Sequence, residues 1–124
     1  MTEDELKSRF KQFALRIVKL VDNLPHAIST DAIARQIIRS GTSPAANYRA
    51  ACVAKSDKDF INKLKMVEEE LDETLFWLEL LMDSGKVSTD RMQNLYKENT
   101  ELLSIIVSSI ATLRRNNESL SLLH

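Results

Sequence analysis

Apolar residues recur along the start of the chain at intervals of three and four positions. This spacing places them on one side of an α-helix, with polar residues on the other. Thr2 followed by Glu5 has the form of a capping box, and Pro25 marks where the helix has ended. The pattern therefore predicts a helix over residues 3–24. Its apolar stripe is made of Leu6, Phe10, Phe13, Ile17, Leu20 and Leu24.

A second helix is predicted over residues 30–53, and it contains a run of small residues around Gly41. Pro44 lacks a backbone N–H and clashes with the preceding turn, so the segment is either one kinked helix or two short helices. The small side chains let another backbone come close. We therefore predict a helix-packing motif, formed by Gly41, Ser43, Pro44 and Asn47.

Two further helices are predicted over residues 57–84 and 89–115. Ser56 with Asp59 begins the third, Gly85 ends it, and Ser88 or Thr89 begins the fourth. Residues 116–124 are expected to fray. Short connections make successive helices antiparallel, so the sequence predicts an all-α, up-down-up-down four-helix bundle in a single domain of residues 1–124.

The composition supports one small helical domain and excludes several function classes. Among 124 residues there are only two glycines and two prolines, which suits long helices better than strands. A net charge of -1 gives no global positive field for nucleic acid. The acidic N-terminus and the single cysteine, Cys52, predict a cytoplasmic protein without a disulfide, and no apolar run is long enough to span a membrane.

Several motifs in the second and third helices resemble one bacterial protein family. They are Arg39-Ser40-Gly41-Thr42-Ser43, Ala46-Asn47, Asp59-Phe60 and Trp77-Leu78-Glu79-Leu80-Leu81. In order and spacing they resemble the four-helix-bundle family that includes proteins encoded by intervening sequences of large-subunit (23S) ribosomal RNA genes. The resemblance covers about Phe10 to Arg115.

The resemblance implies a fold, an assembly and a class of partner. It implies an antiparallel four-helix bundle that forms a homopentameric ring. One relative is the accessory protein of diversity-generating retroelements, which binds nucleic acid and a reverse transcriptase. Two features depart from the family: Ala50 stands where members commonly carry a glutamate, and the chain lacks the strongly basic character of the retroelement relatives.

Candidate catalytic and metal-binding residues are scarce, and we expect no enzyme activity, no metal and no cofactor. The only histidines, His26 and His124, lie in a connection and at the terminus, where no helix pairs them with carboxylates. Cys52 has no helix-borne histidine to activate it, so it is expected to be a small buried apolar residue. Gly41-Thr42-Ser43 lacks the rest of a phosphate-binding loop.

Three polar residues, Asn47, Thr74 and Asn99, interrupt the apolar stripes. Buried polar groups need hydrogen-bond partners, and buried asparagines in helical bundles fix the register of the helices. We therefore predict that these residues pair across the core. The alternative is a ligand site.

Charge is divided unevenly between two neighbouring segments. Residues 35–65 carry seven basic residues and two acidic ones, whereas residues 68–83 carry seven acidic residues and no basic one. The acidic run is either a solvated helix face or one half of a head-to-tail contact, in which it meets the basic segment of another copy.

The third and fourth helices carry more apolar residues than one core stripe needs, and exposed apolar patches usually mark interaction surfaces. Trp77 is the preferred anchor of such a surface, with core burial as the alternative. The sequence thus predicts a non-catalytic homo-oligomeric scaffold or adaptor, alternatively a nucleic-acid-binding accessory protein. The predicted interface consists of Glu69, Glu73, Phe76, Trp77, Leu80, Leu103 and Val107. The alternative function uses Arg35, Arg39, Arg49, Lys55 and Lys58 as phosphate contacts.

Overall fold

Four α-helices make up a computed structural model that describes residues 1–123, with side chains through residue 118. The helices are α1 (Glu3–Asp22), α2 (Ile28–Cys52), α3 (Asp57–Asp83) and α4 (Thr89–Leu123). Each helix packs against the next, and α4 returns to α1 with the least extensive contact of the four. This arrangement confirms the predicted all-α, antiparallel four-helix bundle.

Local side-chain chemistry fixes the ends of α1 and α3. Thr2 and Glu5 form the reciprocal capping box that starts α1, and the Ser56 hydroxyl accepts a hydrogen bond from the backbone N–H of Asp59 at the start of α3. Gly85 follows the end of α3 with a φ of 74°. Its N–H and that of Lys86 donate to carbonyls of the last helical turn, as in a Schellman motif. Both predicted helix starts and the predicted stop at Gly85 are confirmed.

Helix α2 is one continuous helix that includes Pro44, so the alternative of two short helices is wrong. It also begins at Ile28, two residues before the predicted start. The reason is that Thr30 does not cap the helix from outside. Its buried hydroxyl donates instead to the carbonyl of Pro25 at 2.6 Å, within the first turn.

Helix α4 continues to Leu123, so the predicted end at residue 115 is wrong. The sequence contains no glycine or proline after Gly85, and therefore nothing in it forces the helix to stop. At 35 residues, α4 is longer than the 27-residue α3 beside it.

The core lies along the bundle axis and is built from the predicted stripes. Fully enclosed side chains come from every helix, and they include Phe10, Ile37, Leu71 and Ile106. Among the described residues, no helix combines the length and apolar character that a membrane span requires.

Candidate functional site

The small residues of α2 bring α1 close. A Cβ atom at Gly41 would lie 2.8–3.0 Å from three side-chain carbons of Ile17 on α1. Such distances are shorter than real carbon–carbon contacts, so only glycine fits this position. Pro44 is buried in the same helix, whereas Ser43 and Asn47 are half-buried. Gly41 therefore lies in a helix-packing contact with α1, as the sequence predicts.

Two of the three polar residues on the apolar stripes have partners across the α2–α3 contact. The hydroxyls of Thr74 and Ser40 lie 2.8 Å apart, and both residues are buried. Thr74 also lies 2.8 Å from the carbonyl of Glu70. Because Thr74 has one proton to donate, Ser40 donates to Thr74 while Thr74 donates to that carbonyl. The amide of Asn47 donates to the Glu70 carboxylate at 2.7 Å.

Asn99 on α4 differs from these two. It is fully buried, and neither its amide nitrogen nor its amide oxygen has a hydrogen-bond partner among the described residues. It lines neither of the two best-defined cavities. Asn99 therefore does not make the predicted pair across the core. An unpartnered buried amide lowers the free energy of unfolding.

Two of the seven acidic residues between Glu68 and Asp83 form ion pairs inside the same chain. Glu73 pairs with Arg39 of α2 at 2.6 Å, and Glu68 pairs with Lys65 at 2.9 Å. Glu79 accepts a hydrogen bond from Tyr96, which raises the pKa of that phenol. No ion pair or hydrogen bond within the described side chains involves Glu69, which stays exposed on α3.

The outward face of α3 carries a stripe that we call the α3 seam, made of Met66, Glu69, Glu73, Phe76 and Leu80. Their spacing of three and four residues is that of a coiled-coil contact line. Phe76 is 53% exposed and Leu80 is 37% exposed.

The other predicted interface residues lie beside this seam. Trp77 is half-buried, and its ring meets that of Phe76 edge-to-face with centroids 4.9 Å apart. Its indole N–H is enclosed and finds no acceptor in the described part of the chain. Trp77 thus packs against the more exposed ring of Phe76. On α4, Val107 is 45% exposed and Leu103 is half-buried.

A second exposed stripe, on α1, was missed in the sequence analysis. Lys11, Leu15, Val18 and Asp22 are all exposed and recur at intervals of four, three and four residues. We call this stripe the α1 seam. Leu15 is 52% exposed and Val18 is 39% exposed. The signal in the sequence was a second apolar pair offset from the core stripe of α1, which indicates a helix with two contact faces.

The candidate phosphate contacts are all exposed, on α2, on the connection that follows it and, for Lys58, on the first turn of α3. Arg35 and Arg49 lie 14 residues apart on α2, which is about 21 Å along a helix. Arg39 lies between them and is engaged by Glu73. The structure therefore spreads these cations from α2 to the start of α3 and does not gather them into a pocket.

The residues weighed for catalysis stay apart. His26 is exposed and lies 3.3 Å from Asp31 in the α1–α2 connection, whereas Cys52 is at the far end of α2. Burial raises the pKa of the Cys52 thiol, and burial likewise raises that of the neighbouring Tyr48 phenol. Both shifts oppose formation of a nucleophilic anion. No group of three potential metal ligands occurs within the described residues, and His124 lies outside them.

Comparisons with known proteins agree with this architecture. The family described as 23S rRNA-intervening sequence protein matches residues 4–108 of the chain. The chain is also similar to the crystal structure of a protein of unknown function from the S23 ribosomal protein family of Bacteroides thetaiotaomicron. The two are 36% identical with a TM-score of 0.83, over 90% of this chain and 99% of that one. No curated protein matches the chain.

Proposed function

The chain belongs to the 23S rRNA-intervening sequence protein family, and we propose that it is a non-catalytic, homo-oligomeric scaffold or adaptor. The supporting observation is the α3 seam, where Phe76 and Leu80 leave large apolar side chains in water beside Glu69. Clustered apolar exposure of this kind usually marks an interaction surface. The occupant that we propose is a second copy of the same chain.

The α1 seam has the chemistry that the α3 seam needs. In both, a charged position precedes two apolar ones along the helix, with Lys11 before Leu15 and Val18 on α1. If the two helices run in parallel, Leu15 lies opposite Phe76, Val18 lies opposite Leu80, and Lys11 faces the acidic turn of α3. The two apolar pairs differ by one residue in their offset along the chain, and Lys11 then lies opposite Asp72 or Glu73. The only like-charge approach in this register is between Asp22 and Asp83, at the helix ends.

The topology of the bundle permits this parallel contact. Helices α1 and α3 run in the same direction, because each is antiparallel to α2, and they make no direct contact with one another within the described chain. A rotation axis parallel to the bundle keeps α3 of one copy parallel to α1 of the next. Contacts between two different faces build rings when the rotation closes. We propose five copies, the number that the family resemblance implies.

This contact differs from the head-to-tail pairing predicted from the sequence, in which the acidic segment meets the basic segment of α2. Arg39 of that segment already pairs with Glu73 of its own chain. Exposed α2 residues between Arg35 and Arg49 are also small or polar, whereas α1 offers Leu15 and Val18. The α1 seam therefore matches both the charge and the apolar character of α3.

Native mass measured by light scattering tests the assembly. We expect the wild-type chain to be oligomeric and a Phe76→Ser/Leu80→Ser variant to be monomeric with unchanged helical circular dichroism. A matched control, Ile28→Ser/Val53→Ser, removes two highly exposed apolar side chains outside both seams and should keep the wild-type mass. A monomeric wild-type protein at every concentration, or an equally assembled seam variant, would contradict the proposal.

Charge exchange tests the pairing of the two seams. In the proposed register Lys11 lies opposite Asp72, an exposed residue of α3. Asp72→Lys and Lys11→Glu should each weaken assembly, and more so at low salt because exposed charges are screened at high salt. The double variant should recover much of the wild-type mass. If the double variant is as weak as the sum of the two single variants, Lys11 and Asp72 do not meet.

A nucleic-acid-binding accessory role is the second candidate, and the exposure of four cations between α2 and the start of α3 favours it. They are Arg35, Arg49, Lys55 and Lys58. Contacts from these cations to phosphates release counterions, so binding falls steeply with added salt. A mobility shift of labelled RNA or DNA that weakens with salt, and that is lost in an Arg35→Gln/Arg49→Gln variant, would support this role. An unshifted probe at low salt would exclude it.

A further inference from the structure

A cleft with an unbalanced charge lies at one end of the bundle. It has a volume of about 500 Å³ and opens between the end of α1 and the start of α4, next to the α3–α4 connection. Four basic side chains line it, namely Arg16, Lys19, Lys86 and Arg91, and no carboxylate does. The cleft therefore concentrates positive charge in a protein whose net charge is -1.

None of these four cations takes part in an ion pair within the described side chains. Some cations elsewhere in the bundle do, as Arg9 pairs with Glu98 and Arg39 with Glu73, whereas others such as Lys55 and Lys97 stand alone on the surface. What sets the cleft apart is that four unpaired cations line one space. Like charges gathered around one space repel each other unless an anion is placed between them. An anion bound in the cleft would relieve this repulsion, and no carboxylate of the lining supplies one.

The rest of the lining gives the anion a chemical class. The apolar residues of the cleft are aliphatic, among them Leu20, Val87 and Leu95, and there is no aromatic ring on which a nucleobase could stack. Helix α4 begins at Thr89, and the adjacent Ser88 lines the cleft. The positive end of the α4 dipole therefore adds to the four side-chain charges.

We propose that this cleft binds an alkyl phosphate, that is, a phosphate monoester with an aliphatic chain. A phosphate monoester carries about -1.5 to -2 charges near neutral pH, and the two arginines supply the planar donors that recognise phosphate oxygens. The aliphatic chain lies on the leucine and valine side chains. Ligand cavities of roughly 300–1,000 Å³ hold small molecules, and this cleft falls in that range. The site uses residues of one copy and does not rest on the proposed assembly.

Calorimetric titration of the full chain with octyl phosphate, inorganic phosphate and octanol tests the site. We expect octyl phosphate to bind at least roughly tenfold more tightly than inorganic phosphate, and octanol not to bind, because the site needs both charge and chain. Lys86→Gln/Arg91→Gln should weaken octyl phosphate binding by roughly tenfold or more. The control Arg114→Gln/Arg115→Gln removes two exposed cations at the other end of α4 and should leave the affinity unchanged.

Vesicles separate the two sources of this chemistry. Co-sedimentation with phosphatidylcholine vesicles that contain phosphatidic acid, reduced in the Lys86→Gln/Arg91→Gln variant, assigns the cleft to a lipid headgroup. Octyl phosphate binding without co-sedimentation assigns it to a free alkyl phosphate. The proposal is overturned if octyl phosphate shows no saturable binding at millimolar concentration, or if the control weakens binding as much as the cleft variant. It is also overturned if a short RNA displaces octyl phosphate and loses affinity in the cleft variant.

Discussion

The α2–α3 contact and the α1–α4 contact of the same bundle are built in different ways. Along α2–α3, three polar interactions link the helices: Ser40 with Thr74, Asn47 with Glu70 and Arg39 with Glu73. Between α1 and α4, Arg9 forms ion pairs with Glu98 and Glu101, and packing is otherwise sparse. The basic cleft opens at one end of the α1–α4 contact, and a second cavity of about 630 Å³ lies near the other end of the bundle.

The register of the helices is fixed at the α2–α3 contact, whereas the α1–α4 contact leaves space for a ligand. The buried pair of Ser40 and Thr74 holds only in one register, because sliding either helix by one turn would leave both hydroxyls unpaired. The ion pair of Arg9 joins two long side chains that are still partly exposed, so it tolerates small shifts and contributes little energy. The α1–α4 side is therefore the place where a ligand can enter with the least disturbance of the fold.

The largest expected effect comes from filling the close approach of α2 to α1. Gly41→Val places methyl groups where the side chain of Ile17 lies. The clash should lower the free energy of unfolding by about 3 kcal/mol, the upper end of the usual overpacking cost. Ala46→Val, on the exposed side of the same helix, is the matched control and should cost only about 0.5 kcal/mol through helix propensity. Urea unfolding at one fixed protein concentration measures both. Equal losses would show that Gly41 is not under steric constraint.

Breaking the buried hydroxyl pair of the α2–α3 contact should have the next largest effect. Thr74→Val keeps the shape of the side chain but leaves the Ser40 hydroxyl without its partner, which should cost about 1–2 kcal/mol. The double variant Ser40→Ala/Thr74→Val removes both hydroxyls and should regain part of that loss. If it instead loses the sum of the two single effects, the hydroxyls act independently.

Removing the buried polar group of α4 should act in the opposite direction. Asn99→Leu replaces an unpartnered buried amide with an apolar side chain of similar size, and should raise the free energy of unfolding by about 1 kcal/mol. Thermal unfolding followed by circular dichroism measures the change. A destabilised variant would mean that the Asn99 amide is satisfied in solution, for example by a buried water molecule.

The smallest effect is expected at the ion pair that joins α1 to α4. Arg9→Gln should cost less than about 1 kcal/mol, and the difference should shrink as salt is added, because the pair is partly exposed. Lys97→Gln, at an exposed position of α4, is a suitable comparison. If Arg9→Gln instead lowers the free energy of unfolding by several kcal/mol at every salt concentration, the ion pair fixes the α1–α4 contact as strongly as the polar pairs fix α2–α3.

The sequence by itself determined the four helices and most of their ends. Apolar residues three and four positions apart fix which face of each helix is buried, and local groups such as Thr2, Ser56 and Gly85 fix starts and stops, because both signals depend only on near neighbours in the chain. The end of α4 was predicted wrongly for the same reason. The charges of Arg114 and Arg115 favour a helix end, but no glycine or proline follows them to stop the helix.

Only the tertiary structure decided which surface residues come together. Thr74 and Asn99 look alike in the sequence, yet one has a partner on α2 and the other has none. Arg16 and Arg91 meet at one cleft because α1 and α4 are neighbours that lie far apart in the chain. Pairing, cavity shape and charge balance depend on distances between helices, and helical periodicity carries no information about those distances.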